Sequence, residues 1–357
     1  MELTTCALCG CEENDIHEFE DTPICTNCYE SETMSCVHCD RRIWVEDADS
    51  DMCPSCYENH THCHECNILI HCGDALYCDD DIPYCHACYE NSNDRAIKSY
   101  SYRPEPIFYG SGLFLGVELE VDEGGECSDN AETLLNIANA QGEKLYIKHD
   151  GSIDYGFELV THPMDLKSHQ TIMPWRDILS ECVEMGYLSH QTSTCGLHIH
   201  CDRKAFGNEI TVQEEVIARI LFFVETHWNE MLRFSRRTEN QINRWARRYG
   251  LKGTPAETYK DAKDKRYGRY VCVNLENYDT VEIRIFRGTL RYETLMAAFQ
   301  LVDEICHMAI GMNDADFQGM SWSDFVSKIS GDKQELIDYL KIRRLYINEP
   351  VESEEDI

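Results

Sequence analysis

The chain has 357 residues and a formal net charge of −33, with 27% charged and 43% hydrophobic residues. That length carries at least one sizeable core and leaves room for more than one domain. Such an acidic surface repels phosphate backbones, so nucleic-acid binding is not expected. The best apolar run, Val216–Val224, is too short to span a membrane and contains Arg219.

The amino terminus, MELTTCALCG, lacks a basic region followed by an apolar one. A secretory leader is therefore not expected, and a cytoplasmic setting that keeps thiols reduced is. Residues 1–98 carry 22 Asp and Glu against four Lys and Arg, and 15 of the 21 cysteines fall within residues 6–88. Twelve of these pair as C-x2-C knuckles: Cys6/Cys9, Cys25/Cys28, Cys36/Cys39, Cys53/Cys56, Cys63/Cys66 and Cys85/Cys88. The segments PICTNCYE, DMCPSCYE and PYCHACYE repeat, each closing a unit opened by another knuckle, with 15, 13 and 18 residues between.

A two-residue gap lets both thiolates reach one tetrahedral ion, and two knuckles complete a set of four. Units of roughly 30 residues bury too little apolar surface to fold alone. Structural zinc, worth on the order of 10–16 kcal/mol in finger peptides, supplies the deficit. The reading is three tandem zinc modules over residues 1–92, holding about three Zn2+. Sequential pairing of knuckles competes with a cross-braced scheme, and a disulfide framework is a further alternative. Cys11, Cys72, Cys78 and His17, His38, His62, His64, His71 and His86 are left over, mainly as bystanders. Closed four-thiolate sites have no open coordination position, so these modules are structural and suited to recognising a protein partner.

Residues 93–112 mix polar residues with two prolines and glycines and read as a linker. Beyond it, over 113–345, strands are expected near 113–122, 145–149, 156–161, 196–202, 269–276 and 280–287. Helices are expected near 129–141, 164–186, 212–235, 291–311 and 332–344. Thr211 and Glu214 offer a capping box for the third helix. Its apolar stripe is Ile217, Ile220, Leu221, Val224, Trp228 and Met231; that of the fourth is Leu295, Ala298, Phe299, Val302 and Cys306. Residues 346–357 read as an acidic tail.

Four strands alternate in the same way. GVELEVD divides Val117, Leu119 and Val121 from Glu118, Glu120 and Asp122. CGLHIHCD divides Leu197, Ile199 and Cys201 from His198, His200 and Asp202. VEIRIFRG divides Val281, Ile283 and Ile285 from Glu282, Arg284 and Phe286, and GFELV sets Glu158 opposite Phe157 and Leu159. The fold class is α+β: an antiparallel sheet with helices on one face and an open polar face on the other. Solvated strand faces favour Thr, Lys, Ser and Gln, whereas this face carries ligand-type residues. Clustered carboxylates repel one another without a counter-ion, and a divalent cation is the obvious one. Residues 233–269 form the one basic stretch, with Arg233, Arg236, Arg237, Arg244, Arg247, Arg248 and Arg266. It reads as a loop-and-helix lid meeting phosphates or an acidic acceptor, against a solvated basic helix or a nucleic-acid contact.

Five segments in this order, GVELE at 116–120, KHDGSI and GFELVTHP at 148–163, CGLHIH at 195–200, RYVCVNL at 269–275 and TVEIRIFRGTL at 280–290, resemble the amidoligase family. That family is a branch of the glutamine-synthetase-like carboxylate–amine ligases. The resemblance implies a curved antiparallel sheet whose concave face holds ATP and Mg2+, and amide formation through an acyl phosphate. By position it makes Glu118 and Glu120 metal ligands and Glu158 and Glu282 further metal-side or ammonium-side carboxylates. His198 or His200 would meet nucleotide or substrate, and Arg284 and Arg287 would stabilise phosphoryl charge. Asp150 and Ser152 would lie on the substrate or metal side. No P-loop is present, so nucleotide binding rests on the resemblance alone. The expected substrates are ATP with a carboxylate and an amine, a peptide or protein among the candidates. Two rival readings stay open: a non-catalytic adaptor built on the ligase fold, and a thiol hydrolase with Cys195 as nucleophile and His198 as base.

Overall fold

A computed structural model describes residues 3–77, 82–89, 96–265 and 268–347. Cys78, Arg266 and the acidic tail from residue 348 lie outside the described residues. The chain divides into two compact units, Met1–Asn93 and Asp94–Ile357.

The first unit repeats one local design. The opening knuckle is a tight turn closed by paired backbone bonds: Cys6 N to Cys11 O and Gly10 N to Cys6 O, then Cys36 N to Arg41 O and Asp40 N to Cys36 O, then Cys63 N to Ile68 O and Asn67 N to Cys63 O. The turn needs a left-handed residue after its second cysteine, and Gly10, Asp40 and Asn67 adopt φ of 77°, 58° and 57° there. Gly, Asp and Asn are the residues that tolerate this conformation best. The closing knuckle sits at the start of a short helix, Thr26–Glu32 in the first module and Pro54–Tyr57 in the second.

The thiols gather as Cys6/Cys9/Cys25/Cys28, Cys36/Cys39/Cys53/Cys56 and Cys63/Cys66/Cys85/Cys88. This is the sequential scheme rather than the cross-braced one, and no disulfide joins the described cysteines. Sγ–Sγ separations of 3.6 Å (Cys9–Cys25), 3.7 Å (Cys39–Cys53) and 3.8 Å (Cys66–Cys85) match the edge of a tetrahedron. Zn–S bonds of about 2.3 Å give an edge of about 3.8 Å. These clusters fit zinc modules. Neighbouring backbone amides draw Cys6 down to about 5 and Cys36 to about 6, favouring the thiolates a cation requires. The first two modules also touch through side chains: Trp44 stands edge-on to Phe19 and donates its indole N–H to Glu20 at 2.9 Å.

In the second unit seven strands form one mixed sheet. They are β1 (Ile97–Lys98), β2 (Leu115–Val121), β3 (Leu145–Lys148), β4 (Phe157–Thr161), β5 (Gly196–Asp202), β6 (Val273–Asn274) and β7 (Thr280–Arg287), in the spatial order β1-β3-β4-β2-β5-β7-β6. Every pair is antiparallel except β1 with β3, which corrects the wholly antiparallel expectation. The parallel edge comes from the segment read as a linker. Two residues of β1 carry no alternation that would reveal a strand. Tyr109, further along the same segment, ties back to Pro163 and Asp165 by backbone bonds.

Helices cover the aliphatic sheet face. Ile220 and Val224 of Ile210–Thr226 and Val302 and Cys306 of Tyr292–Gly311 meet Ile283 of β7 around a small apolar void. The Cys306 and Cys201 sulfurs approach to 3.6 Å across that interface. Two long helices are broken where single ones are expected. Residues 164–186 split into Leu166–Thr171 and Trp175–Glu184 at Pro174, whose ring cannot continue a helix. Residues 212–235 split into Ile210–Thr226 and Trp228–Ser235 at His227, with φ −99° and ψ 35°. The Thr211 capping box does not form, because the helix already starts at Ile210; Glu214 instead pairs with Lys263 at 2.8 Å. Capping boxes close at Thr238/Gln241, Asn313/Asp316 and Ser321/Asp324, starting three short helices the alternation did not predict. No helix among the described residues is long and apolar enough to cross a membrane.

Candidate active site

Strand register writes the polar face as three cross-strand rows. Lys148, Glu158, Glu120, Gly196 and Arg287 follow one another across β3, β4, β2, β5 and β7; Tyr146, Val160, Glu118 and His198 form the next row; Gly116, His200, Glu282 and Asn274 form the third. Residues of distant sequence therefore share one patch because side chains at paired positions lie on the same face.

The face is not open to water as alternation suggested. Glu120, Glu158, His198 and Glu282 are buried, and Glu118 keeps 24% of its side chain exposed. His198 stands at the centre, with Nδ1 3.2 Å from Glu118 Oε2 and 3.7 Å from Glu282 Oε1, and Nε2 3.8 Å from Glu120 Oε1. His200 Nε2 lies 3.2 Å from Glu118 Oε1, and its Nδ1 meets the Thr280 hydroxyl at 3.1 Å. Glu282 also pairs with Arg284 and accepts from Asn274 at 2.9 Å. Glu158 is 3.7 Å from the Lys148 ammonium. The Gly196 amide donates to Glu120. A side chain at Gly196 would press on the His198 ring and the Arg237 guanidinium, so both would have to move to admit one.

The charges are strongly coupled. Burial disfavours the Glu118 carboxylate, but His200 and His198 outweigh it and hold Glu118 well below the usual carboxylate range. Glu282 is lowered in the same way, burial being overcome chiefly by His200. Burial also acts to lower His200, yet Glu118 and Glu282 raise it to about 9. Glu120 is pushed up by burial, and Glu158 well above its ordinary value by burial and then by the Glu118 charge. Glu118, Glu158 and His198 each place a ligand atom within 4.8 Å of the others. At an effective dielectric of about 20, two unit charges that close repel by about 3.5 kcal/mol. A cation would relieve that repulsion.

The donor set suits one. It is rich in carboxylate oxygen, as magnesium and manganese prefer, with one imidazole beside it. Two buried nitrogens on this face, His200 Nε2 and Arg284 Nε, have no hydrogen-bond partner of good geometry.

Other predicted residues fall into place unevenly. Asp150 accepts from the Ser152 amide at 2.7 Å in the turn after β3, and its charge helps to raise Glu158 and Glu120. Ser152 turns its hydroxyl onto Asp150. Arg287 makes no ion pair with the carboxylates among the described residues and lies beside Arg236 and His190 instead. A bulge opposite His198 pairs Leu197 with Phe286 and Ile199 with Ile283. It therefore returns Phe286 to the aliphatic face, against the strict alternation.

Tyr100, Tyr102, Lys148, Arg269 and Tyr270 were not among the residues singled out from the sequence, and Arg237 was read only as one of the basic stretch. Arg237 is buried, donates to Phe286 O at 3.0 Å and is drawn down to about 10 by burial. Tyr102 stands edge-on to Tyr146, Lys148 lies over Tyr100, and Arg269 bonds both Tyr100 and Tyr270. This aromatic–cationic wall joins the segment before β2 to the one before β6. The basic stretch contributes Arg237 and Arg269 to the site, whereas Arg248 pairs with Glu225 at 2.9 Å. Burial pushes the Cys195 thiol up to about 12, which disfavours the thiolate that a nucleophile needs, and Thr194 and Thr192 lie beside it.

A sequence model of the family described as "Putative amidoligase enzyme" matches residues 119–306. The chain belongs to this amidoligase family. Among solved structures, the bifunctional glutathione synthetase from Pasteurella multocida is similar at 12% identity, with a TM-score of 0.35. The similarity covers 72% of this chain and 48% of that one, so the chain spans about half of that protein's length. No curated protein matches the chain. The family, together with cysteine clusters that fit zinc modules, agrees with the amidoligase resemblance read from the sequence.

Proposed function

We propose that the Asp94–Ile357 unit is an ATP-dependent carboxylate–amine ligase working through an acyl phosphate on a glutamine-synthetase-like sheet. The observation that carries the reading is the convergence of Glu118, Glu158 and His198 within 4.8 Å, with Glu120 and Glu282 beside them. Transfer of a phosphoryl group to a carboxylate gathers negative charge on several oxygens, and catalysis is mostly positioning and electrostatic stabilisation.

Glu118, Glu158 and His198, with Glu120 and Glu282 near, would hold a divalent cation such as Mg2+. Bound there, it would supply charge neutralisation at the phosphates. Arg284 and Arg237 are the cations placed to meet developing phosphoryl charge, each tied to the protein through Glu282 or Phe286 O. The wall of Tyr100, Arg269 and Tyr270 limits water and gives the acceptor a surface to lie on. His198 and His200 hold Glu118 and Glu282 in their ionised form. The zinc modules keep the first unit folded and recognise the partner or substrate that the second unit modifies.

The test is ATP consumption by purified protein supplied with Mg2+ and pooled carboxylate and amine compounds, followed by mass identification of the new amide. ADP and phosphate should appear only when both substrates are present. Glu118→Ala and Glu282→Ala should abolish their release while leaving the far-ultraviolet circular dichroism unchanged. Turnover unaffected by both substitutions would overturn the assignment of these carboxylates.

A further inference from the structure

The thiol quartets leave three histidines of the first unit unused where its second and third modules meet. His60 and His71 are directly paired across the antiparallel strands His60–His62 and Leu69–His71, and His38 comes from the opening knuckle of the second module. Ring centres lie 5.1 Å apart for His60 and His71, 5.5 Å for His38 and His60, and 6.2 Å for His38 and His71. Three imidazoles on one tetrahedral ion, with metal–nitrogen bonds of about 2.0–2.1 Å, place their ring centres about 5.2 Å apart. Two of the separations already meet that value, and rotation of the exposed His38 side chain can close the third.

The repeat shows what fills such a junction when packing alone is at work. His38 stands two residues after the first cysteine of its own opening knuckle, and His60 and His71 stand three before and eight after the first cysteine of the next. One module earlier the same offsets fall on Leu8, Thr33 and Trp44. Leu8 and Trp44 line one groove there, and Thr33 faces Trp44 in the register that sets His60 against His71. Thr33 and His60 even bond alike, each to the carbonyl four residues earlier, Tyr29 O and Cys56 O. Apolar and hydroxyl side chains therefore satisfy this junction. Three imidazoles in their place need another cause.

We propose that His38, His60 and His71 bind a divalent cation of the zinc, nickel and cobalt class, additional to the ions of the thiol quartets. Imidazole nitrogen suits these metals and not magnesium. The Cys56 carbonyl, at 2.8 Å, can only accept, so it holds the hydrogen on His60 Nδ1 and leaves Nε2 a free lone pair, as in most metal-bound histidines. His71 Nδ1 accepts the Gly73 amide at 3.0 Å, so its ring hydrogen rests on Nε2. Binding through that nitrogen moves the hydrogen to Nδ1 and gives up the Gly73 bond, with no proton released. His38 and His71 are exposed and His60 is half-buried, so water or a carboxylate can take the fourth position. With 22 acidic against four basic residues in the first 98, the surroundings favour a cation. The ion ties His38 of the second module to His71 of the third. Held by nitrogen alone, it exchanges readily and leaves on dialysis, whereas the thiol quartets keep theirs.

Calorimetric titration of the full chain with Zn2+ tests this, after dialysis against a weak chelator and elemental confirmation that the thiol-bound zinc remains. One further ion per chain should bind in the presence of excess Mg2+. His60→Gln and His38→Gln should each weaken it at least roughly tenfold. His38→Gln changes an exposed side chain outside the His60–His71 hairpin, and unchanged thiol-bound zinc in that variant confirms that its modules are folded. Glu118→Ala should bind the further ion as the unaltered chain does, so failure of the ligase reading would leave this site standing. No uptake at submillimolar free Zn2+, affinities within about twofold of the original in both histidine variants, or displacement by Mg2+ as at a carboxylate surface would overturn the proposal.

Discussion

Glu118 on β2 and His198 on β5 occupy directly paired positions of neighbouring antiparallel strands, with carboxylate and ring nitrogen 3.2 Å apart. The pair is the hinge of the site's electrostatics. Glu118 is held ionised by two imidazoles, and its charge in turn pushes Glu158 in the opposite direction. Two carboxylates on adjacent strands are thereby driven to different protonation states, a pattern typical of functional rather than solvated faces.

Glu158→Gln tests this division. With Glu158 pushed well above the usual range, its neutral amide counterpart should leave the cation-free protein within about 1 kcal/mol of its original stability, or slightly more stable. The cation response should differ sharply. A divalent ion at about 100 times its Kd adds about 2.7 kcal/mol, or roughly 5–10 °C in Tm for a unit of this size. Thermal melts with and without Mn2+ should show that rise in the original chain and lose most of it in the variant. An equal rise in both would remove Glu158 from the ligand set.

Elemental analysis of the purified chain should find about three zinc ions, one for each thiol quartet. Cys53→Ser should lower this to about two, since a hydroxyl is a poor substitute for a thiolate in a four-sulfur site. A strong chelator should unfold the first unit and leave the heat-induced transition of the second in place. Fewer than two ions in the original chain would reject the modular reading.

What the sequence disclosed follows its periodicities. Alternation put Glu118, Glu120, His198, His200 and Glu282 on one face, and the register keeps them there because an aliphatic partner face pins it. Phe286 was misplaced because one bulge opposite His198 breaks the two-residue period, and nothing in VEIRIFRG announces it. Tyr100, Lys148, Arg237 and Arg269 enter the site from loops and a sheet edge, where no period operates. Pro174 did carry a signal for the broken helix, as did Ser321 and Asp324 for a helix start. The break at His227 had none. The residue after each opening knuckle, Gly10, Asp40 or Asn67, carried a signal that the sequence reading did not use, because a left-handed turn restricts that position chemically.

Cys195→Ala decides between acyl phosphate and thiol chemistry. Cys195 is buried, its thiol is raised to about 12 by burial, and the nearby Glu120 and Asp122 charges push it further in the same direction. A thiol so hard to ionise is a poor nucleophile. Turnover should stay within about threefold of the original, with a stability cost of about 1 kcal/mol for the lost sulfur. Complete loss of turnover in a folded variant would revive the hydrolase reading.

His169 makes the folded second unit sensitive to acid through a site far from the carboxylates. The ring is fully buried; Nε2 meets Leu115 O at 3.1 Å, and Nδ1 accepts the Trp175 indole N–H at 3.4 Å. The carbonyl fixes the hydrogen on Nε2, so a second proton would have to sit on Nδ1, facing the indole hydrogen. Burial accordingly draws His169 from 6.5 down to about 4. Above pH 7 both folded and unfolded chains keep the ring neutral, and the full contribution is present. As pH falls through 6.5 the unfolded chain takes up a proton that the folded one refuses until about 4, so stability declines across that window. The difference is worth about 3 kcal/mol between the two limits, and about 2 kcal/mol by pH 5. Urea unfolding at pH 7.5 and pH 5 should show a steeper loss in the original chain than in His169→Gln by about that amount. Parallel pH dependence in the two proteins would place the acid sensitivity elsewhere.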